Sequence, residues 1–594
     1  MKNIVSQKSK VESRKPLSLL SFSVTVFILL AAGGLNSCMY DLDNGNIDPN
    51  VTTTANPTAL YSKCYACLIL EGMDGASDFK TDDAGKSTFL RNLFNANELS
   101  TDEAICWWTD GGLGDYGINR PTPSSDAIRY LYYRMIINVS YCNHYLELPE
   151  AQDDKTKLAE VRLIRAYLYY QLLDLFGNPP FITAISNEMP RQAHTFNSKY
   201  DANKSYSRAE LMALGREYLF GWIESELKTA EADLMEAEPR TDTDVNYGRV
   251  DKAAAWLLLS RLYLNAGTYL NDDGQNNPYW REALDYAEQV INSPYRLFDE
   301  SLQDSESKMW DFTPYDMLFC GNNGSNGASV EAVFPLLQDG KVTRAWGGTM
   351  FFIAAMWNSD MLTAYGMYAG TSSIGWAGMR ARPQLAEKFT TTPANFVGKS
   401  AEDNRLMLEV NAATRDDRAI FWGEGHTLSC IPNDGQGFFH GLAVPKWSNQ
   451  YTTDATPHDA GEVDTDFFLL RAAEAYLNAA EAALHQGDAA KAKTYVDAVR
   501  KRAHAAVRDS YTLDDVLDER SREFYFECLR RPDLIRNNKF GGLNVSYGWE
   551  GKGGNESYTG APFDKYLNVY PIPSTEMMAN TNLIQNDGYT EIEK

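Results

Sequence analysis

Histidine is scarce in this chain. The 594 residues include 7, scattered, with no metal-ligand spacing such as His-Glu-x-x-His, which argues against a zinc hydrolase. Cysteine is scarce as well, with 8. Cys38 closes an apolar run near the N-terminus. The others are Cys64, Cys67, Cys106, Cys142, Cys320, Cys430 and Cys528. An odd number at scattered spacings does not form a disulfide framework. Cys64-x-x-Cys67 lies in Leu60–Leu70, which reads as helix with no βαβ pattern around it, so it predicts buried structural thiols instead of a redox pair. Positive charge is also short: 55 Lys and Arg stand against 80 Asp and Glu, a net charge of −25. That balance disfavours nucleic acid and anionic lipid as partners. Beyond one N-terminal segment, no apolar run approaches the roughly 20 residues that span a bilayer, so the body is expected to be soluble. No Pro- or Ser-rich linker divides it, which predicts one large domain over 38–594.

The N-terminus is built differently. Lys2, Lys8, Lys10, Arg14 and Lys15 precede Leu17–Leu35, a stretch nearly free of charge. Basic n-region, apolar h-region and a small residue before a cleavage point make a secretion signal. Leu35-Asn36-Ser37-Cys38 resembles the lipobox of bacterial lipoproteins, in which the cysteine is acylated and becomes the new N-terminus. A transmembrane anchor is the rival reading, but no Lys/Arg cluster follows as a stop signal. Met39-Tyr40-Asp41-Leu42-Asp43-Asn44 follows instead, and resembles the surface-export signal of Bacteroidetes lipoproteins. Residues 1–37 are therefore expected to be removed. Losing their five basic residues and one acidic residue takes the net charge from −25 to about −29. Each acyl methylene buried in lipid contributes about 0.8 kcal/mol, so several chains would hold the protein on a membrane.

Helical signals come in groups. Residues 125–148 and 157–176 read as a pair; in the second, Val161, Ile164, Leu168, Leu172 and Leu175 keep a three-and-four spacing, and Gly177 with Pro179-Pro180 ends it. Further helices are predicted over 207–235, 250–266, 279–292, 466–486, 489–506 (with Asp488 as N-cap) and 512–530. Small residues stand where paired helices must approach, as in tetratricopeptide-type hairpins. Residues 295–465 are rich in Gly, Thr, Asn and Trp and read as a loop-rich insertion between helical blocks, with a strand over Glu331–Leu336. Loops on a rigid scaffold are where binding resides. The chain has 34 Tyr, 26 Phe and 12 Trp, and many tryptophans fall in loops. Flat aromatic faces stack on sugar rings.

Several segments carry a family resemblance. They are Ala159–Tyr167 with Leu175-Phe176-Gly177-Asn178-Pro179-Pro180; Gly248–Ala255 with Tyr263–Gly267; Leu470–Glu481 with Val499–Ala503; and Glu519–Glu527 with Arg530-Arg531-Pro532-Asp533-Leu534-Ile535-Arg536. The closing run Tyr570-Pro571-Ile572-Pro573 to Gln585–Tyr589 adds to them. In this order, behind a lipobox, they resemble the SusD/RagB family of outer-membrane nutrient-binding lipoproteins. The resemblance implies a mainly α fold: four tetratricopeptide-like hairpins supporting an irregular ligand-binding region. It implies a non-catalytic role at the cell surface, with no cofactor. The lipoprotein would capture a nutrient, most often an oligosaccharide, as a lid over a SusC-like TonB-dependent β-barrel transporter.

The resemblance also points to an acidic pair, in Glu98–Glu103, followed by a binding loop. Trp107 and Trp108 are the first choices there, with Asp110 as a hydrogen-bonding neighbour and Arg91 upstream. Adjacent residues rarely face the same way, so one of the two tryptophans is expected in the core. Trp346 and Trp357, in the loop-rich middle, are candidates for an opposite wall, with Tyr365 and Tyr368 behind them. Trp376 resembles a structural position of the family and reads as packing.

Other signals are set aside. Gly112-x-Gly114-x-x-Gly117 matches a dinucleotide fingerprint by letter but lacks a preceding strand. Asn271–Gly274 and Asp242–Asp244 read as acidic turns without a full calcium ligand set. A glycoside hydrolase needs two carboxylates across a sugar bond, and no pair stands out. A peptide importer remains the second alternative; the loop tryptophans favour glycan.

Overall fold

The computed structural model describes residues 56–69, 71, 81, 83–299, 312–358, 361, 375–401, 415–431, 437–459 and 461–590. The signal segment, Cys38, Tyr365 and Tyr368 lie outside them. Helices dominate: α1 (Pro57–Ala66), α2 (Phe89–Glu98), α3 (Asp126–Glu147), α4 (Lys155–Phe176), α5 (Arg208–Glu231), α6 (Lys252–Leu264) and α7 (Trp280–Ile291) precede the middle region, and α8 (Thr349–Met356) lies within it. After it come α9 (Ala472–His485), α10 (Ala489–Arg502), α11 (Leu513–Phe524) and α12 (Arg530–Arg536). Local chemistry sets their ends. Asp154 accepts from the Lys157 amide at the start of α4, and Gly177, at φ +67°, closes it. Ser207 and Glu210 make a reciprocal capping box on α5. Asp488 accepts from Lys491 N at 2.9 Å to start α10.

Successive helices pack on one another: α3 on α4, α4 on α5, α5 on α6, α6 on α7. The next partner of α7 is α9, which then meets α10. The row of hairpins thus runs straight past the segment between Ile291 and Ala472, which loops out and returns. Alanines make the close approach possible: Ala253, Ala254 and Ala255 on α6, and Ala473 and Ala480 on α9, are fully buried.

Two ladders organise the excursion. Strand β2 (Ala332–Leu336) pairs antiparallel with β4 (Phe467–Arg471), which leads directly into α9. The helix predicted from 466 therefore begins at 472. Phe467–Arg471 is buried on both faces, and a short apolar run of that kind reads alike as strand or helix. Strand β1 (Ala104–Cys106) pairs antiparallel with β3 (Met379–Ala381), Ala104 opposite Ala381 and Cys106 opposite Met379. The helix expected over 512–530 stops at Phe524, because Phe526 and Cys528 take left-handed backbone at φ +65° and +68°.

The motifs at the C-terminus form a knot of buried charge. Arg471 donates to Glu331 (2.7 Å), Glu523 (2.6 Å) and Glu527 (2.7 Å). Arg502 joins Glu331 at 2.8 Å and also Glu523. From the excursion, Arg418 reaches Asp416, Glu519 and Glu523, and Lys446 reaches Glu527 at 2.7 Å. Burial alone would raise the Glu519 carboxyl; Arg418, Arg522 and Arg500 instead hold it down to about 2. Burial lowers Lys446 to about 8, against the pull of Glu527. The thiols of Cys64, Cys67 and Cys142 are buried, and no helix among the described residues is long and apolar enough to cross a membrane.

Candidate ligand-binding site

The acidic pair upstream of the tryptophans is structural. Asp102 is buried and accepts from both Nε and Nη2 of Arg530, at 2.7 and 2.8 Å, and from Tyr547 at 2.6 Å. Glu103 accepts from Ser521 at 2.7 Å; burial raises its carboxyl to about 7, opposed by Arg530. These bonds fasten the Glu98–Glu103 turn to α11 and α12. The chain then leaves as β1, with Trp107 and Trp108 at its exit.

The two indoles part there. Trp107 donates its backbone N–H to Gly378 O and its Nε1–H to the His440 carbonyl at 2.9 Å. Its ring lies so close to Gly437 that a Cβ there would sit 2.4 Å from it. Trp107 is thus engaged by the 437–440 turn. Trp108 turns towards Phe351 (centroids 6.0 Å apart) and Trp376 (6.5 Å, planes at 54°). Gly378, at φ +108°, passes over its edge; a Cβ would stand 2.2 Å from the Trp108 Nε1. Only glycine meets both demands.

Trp376 is held by the end of α8, donating its N–H to the Ala354 carbonyl at 2.8 Å. Trp346 lies beside it at 5.6 Å, with planes at 31°, and gives its backbone N–H to Glu71 at 2.7 Å. Trp346 is 39% exposed and Trp376 36%. Trp108, Trp376 and Trp346 thus form a row of neighbouring indoles with inclined planes, an aromatic wall. The loop bearing Trp346 sits against the turn before α2: a Cβ on Gly347 would meet Thr88 at 2.3 Å, and one on Gly85 would meet an Arg91 nitrogen at 2.9 Å.

Polar groups flank the wall. Arg91, 5% exposed, places its guanidinium 5.4 Å from the Trp108 ring centroid and 5.1 Å from that of Phe351. It stands 3.9 Å from Asp110, a long ion pair, while Lys86 meets the other Asp110 oxygen at 2.9 Å. Burial lowers the Arg91 pKa, with Asp83 and Asp110 opposing. A cation held beside aromatic faces, with a partly exposed carboxylate next to it, can read hydroxyls on a flat ring.

Of the sequence candidates, the structure brings together Arg91, Trp108, Asp110 and Trp346. It sets Trp107 apart, on the 437–440 turn. Trp357 is corrected outright: it is 3% exposed and donates its indole N–H to the Trp447 carbonyl at 3.2 Å, so it offers no face to a ligand. Trp376, expected to pack, is half-exposed in the middle of the row; its loop setting between Gly375 and Gly378 was the available signal. Lys86 carried none, since its role depends on a loop contact.

The comparisons with known proteins agree with one another. A sequence model of the SusD family matches residues 396–589. The chain is similar to the starch-binding protein SusD of Bacteroides thetaiotaomicron, 33% identical over 600 aligned positions that cover 96% of this chain and 98% of that protein. Among solved structures, it is similar to a SusD-superfamily protein of Parabacteroides distasonis (18% identity, TM-score 0.58, covering 91% of this chain and all of that one). Surface glycan-binding protein A of Bacteroides thetaiotaomicron is also similar (19% identity, TM-score 0.57, 89% and 98% covered). At such identities the solved structures establish the fold.

Proposed function

The chain belongs to the SusD family, and on that premise we propose that it is a cell-surface glycan-binding lipoprotein that binds its ligand without cleaving it. The observation that carries this reading is the row of Trp108, Trp376 and Trp346 with Arg91 and Asp110 at its flank. Stacked sugar faces would lie on the indoles, and the two charged groups would exchange hydrogen bonds with ring hydroxyls. An aromatic pair contributes about 0.5–1.5 kcal/mol beyond area burial; stacking of that order gives modest affinity, suited to a protein that must hand its ligand on. The relative named for starch binding makes α-glucan the first ligand to try.

We place Cys38 as the acylated N-terminus on the outer membrane. The partner we propose is a SusC-like TonB-dependent barrel that receives the glycan. The anchor is tested by mass spectrometry of the mature N-terminus; an uncleaved chain would remove it. The binding role is tested by calorimetric titration of the detergent-solubilised protein against soluble starch, other polysaccharides and mixed peptides. Saturable heat with one glycan, lost in Trp108→Ala, supports the reading. Heat with peptides alone would move the protein to peptide import, and new reducing ends after incubation would make it a hydrolase.

A further inference from the structure

Beside the aromatic wall lies a cavity of about 370 Å³, within the size range of small-ligand sites. Helix α2, the start of α3 and the Asp110 loop line it, with Lys86, Arg91, Asn95, Asp110, Asp126 and Tyr130 among its walls. Two asparagines of α2 reach it and differ. Asn92 spends its amide on the Lys86 and Thr88 carbonyls, at 2.7 and 2.9 Å, which fixes the turn before the helix. Asn95, one turn on and 2% exposed, leaves its Oδ1 without a hydrogen-bond partner among the described residues. A buried amide oxygen without a partner among the described residues gains from any guest hydroxyl that can reach it.

The lining limits what that guest can be. Lys86 and Arg91 donate only; the Asp110 and Asp126 carboxylates and the Asn95 oxygen accept. Lys86 and Arg91 already face Asp110, and Arg129 faces Asp126, so the lining carries little unpaired charge to draw an ion of either sign. A hydroxyl both donates and accepts, so a cluster of hydroxyls on one small ring can meet both kinds of wall. Arg91 belongs to the cavity and to the aromatic wall at once, which sets a ring in the cavity next to one stacked on Trp108.

We propose that this cavity is a branch subsite: it takes a single glycosyl residue hanging from a glycan whose main chain lies on Trp108, Trp376 and Trp346. This rests on the glycan reading above. The cavity has room for one or two sugars, and α2 and α3 back it, so it receives a side residue and not a passing chain.

The test compares cyclomaltoheptaose with 6-O-α-glucosyl-cyclomaltoheptaose, the same ring bearing one branch, by calorimetry on the full-length protein in detergent. The branched ring should bind about tenfold tighter. Asn95→Leu should bring the ratio to one and leave the plain ring's Kd unchanged. Asp126→Asn, at an exposed position, should cut the ratio about threefold and covers the case in which Asn95→Leu does not fold. Equal binding of the two rings by the unaltered protein overturns the branch subsite and leaves the α-glucan reading standing, as does an Asn95→Leu protein that weakens both rings alike. Heat from neither ring overturns the α-glucan reading and this subsite with it.

Discussion

Two buried arginines in this protein are surrounded in opposite ways. Arg471 lies in the knot between β4 and α11, where Glu331, Glu523 and Glu527 all stand within 2.7 Å of its nitrogens. Arg91 is buried too, yet its ion pair with Asp110 is long, at 3.9 Å, and the rings of Trp108 and Phe351 lie beside its guanidinium. Desolvating a charge costs several kcal/mol unless partners compensate. Every side-chain nitrogen of Arg471 has a partner within the fold. At the aromatic wall the compensation is partial, and hydroxyls of a ligand would complete it. Full pairing thus belongs to the region that holds shape, and partial pairing to the region we propose as the binding wall.

The comparison can be broken most forcefully at the knot. Glu523→Ala takes from Arg471, Arg502 and Arg418 the one carboxylate they share and should remove roughly 3–5 kcal/mol of unfolding free energy, read by urea denaturation; a loss below 1 kcal/mol would show that the knot is not what holds the region. The acid limb comes next. Glu519 is held at about 2 in the fold against an ordinary 4.5, so its contribution is present above pH 4.5 and lost as pH falls towards 2. That swing is about 3 kcal/mol, and Glu519→Gln should flatten it in melting curves taken between those values. At the wall, Trp108→Ala should weaken glycan binding about 30-fold, the effect of losing a central anchor of about 2 kcal/mol, with a smaller stability loss than Glu523→Ala. Trp346→Ala, at the exposed end of the row, should cost about fivefold, or roughly 1 kcal/mol. Trp357→Phe should change stability through its lost bond to Trp447 and leave affinity untouched; a binding defect there would redraw the site.

The helical half was largely legible in the sequence, because spacing and caps are local. Gly177 and Asp488 stand at the ends expected of them, and the paired helices follow the three-and-four pattern. The mainly α architecture with tetratricopeptide-like hairpins follows from that. The strand at Phe467–Arg471 was not legible: its apolar run has no period to distinguish it, and its partner lies more than a hundred residues away. The site was half legible. Composition flagged loop tryptophans, but which of them meet depends on glycine contacts between distant loops. Gly347 against Thr88 and Gly378 against Trp108 decide it. Trp357, expected at the wall, ends buried on the Trp447 carbonyl, and Trp376, expected to pack, ends part-exposed in the row. The C-terminal signature was legible as a pattern but not as a role, since its acids find their arginines only in the folded chain.

The return of the excursion to α9 has a practical consequence. To the row of hairpins, everything between Ile291 and Ala472 is one long detour between neighbours. Closing a longer detour costs little more than closing a short one, about 0.6 kcal/mol per doubling. A transplanted detour from another member of the fold should therefore be accepted, provided it keeps its own β2–β4 ladder and three anchors to the host: the β1–β3 ladder and the two cations, Arg418 and Lys446, that rivet it to the acids of the C-terminal segment. Such a chimaera would exchange one part of the wall, Trp346 and Trp376, while Arg91 and Trp108 stay with the host. Half of the recognition surface would travel with the graft and half would remain.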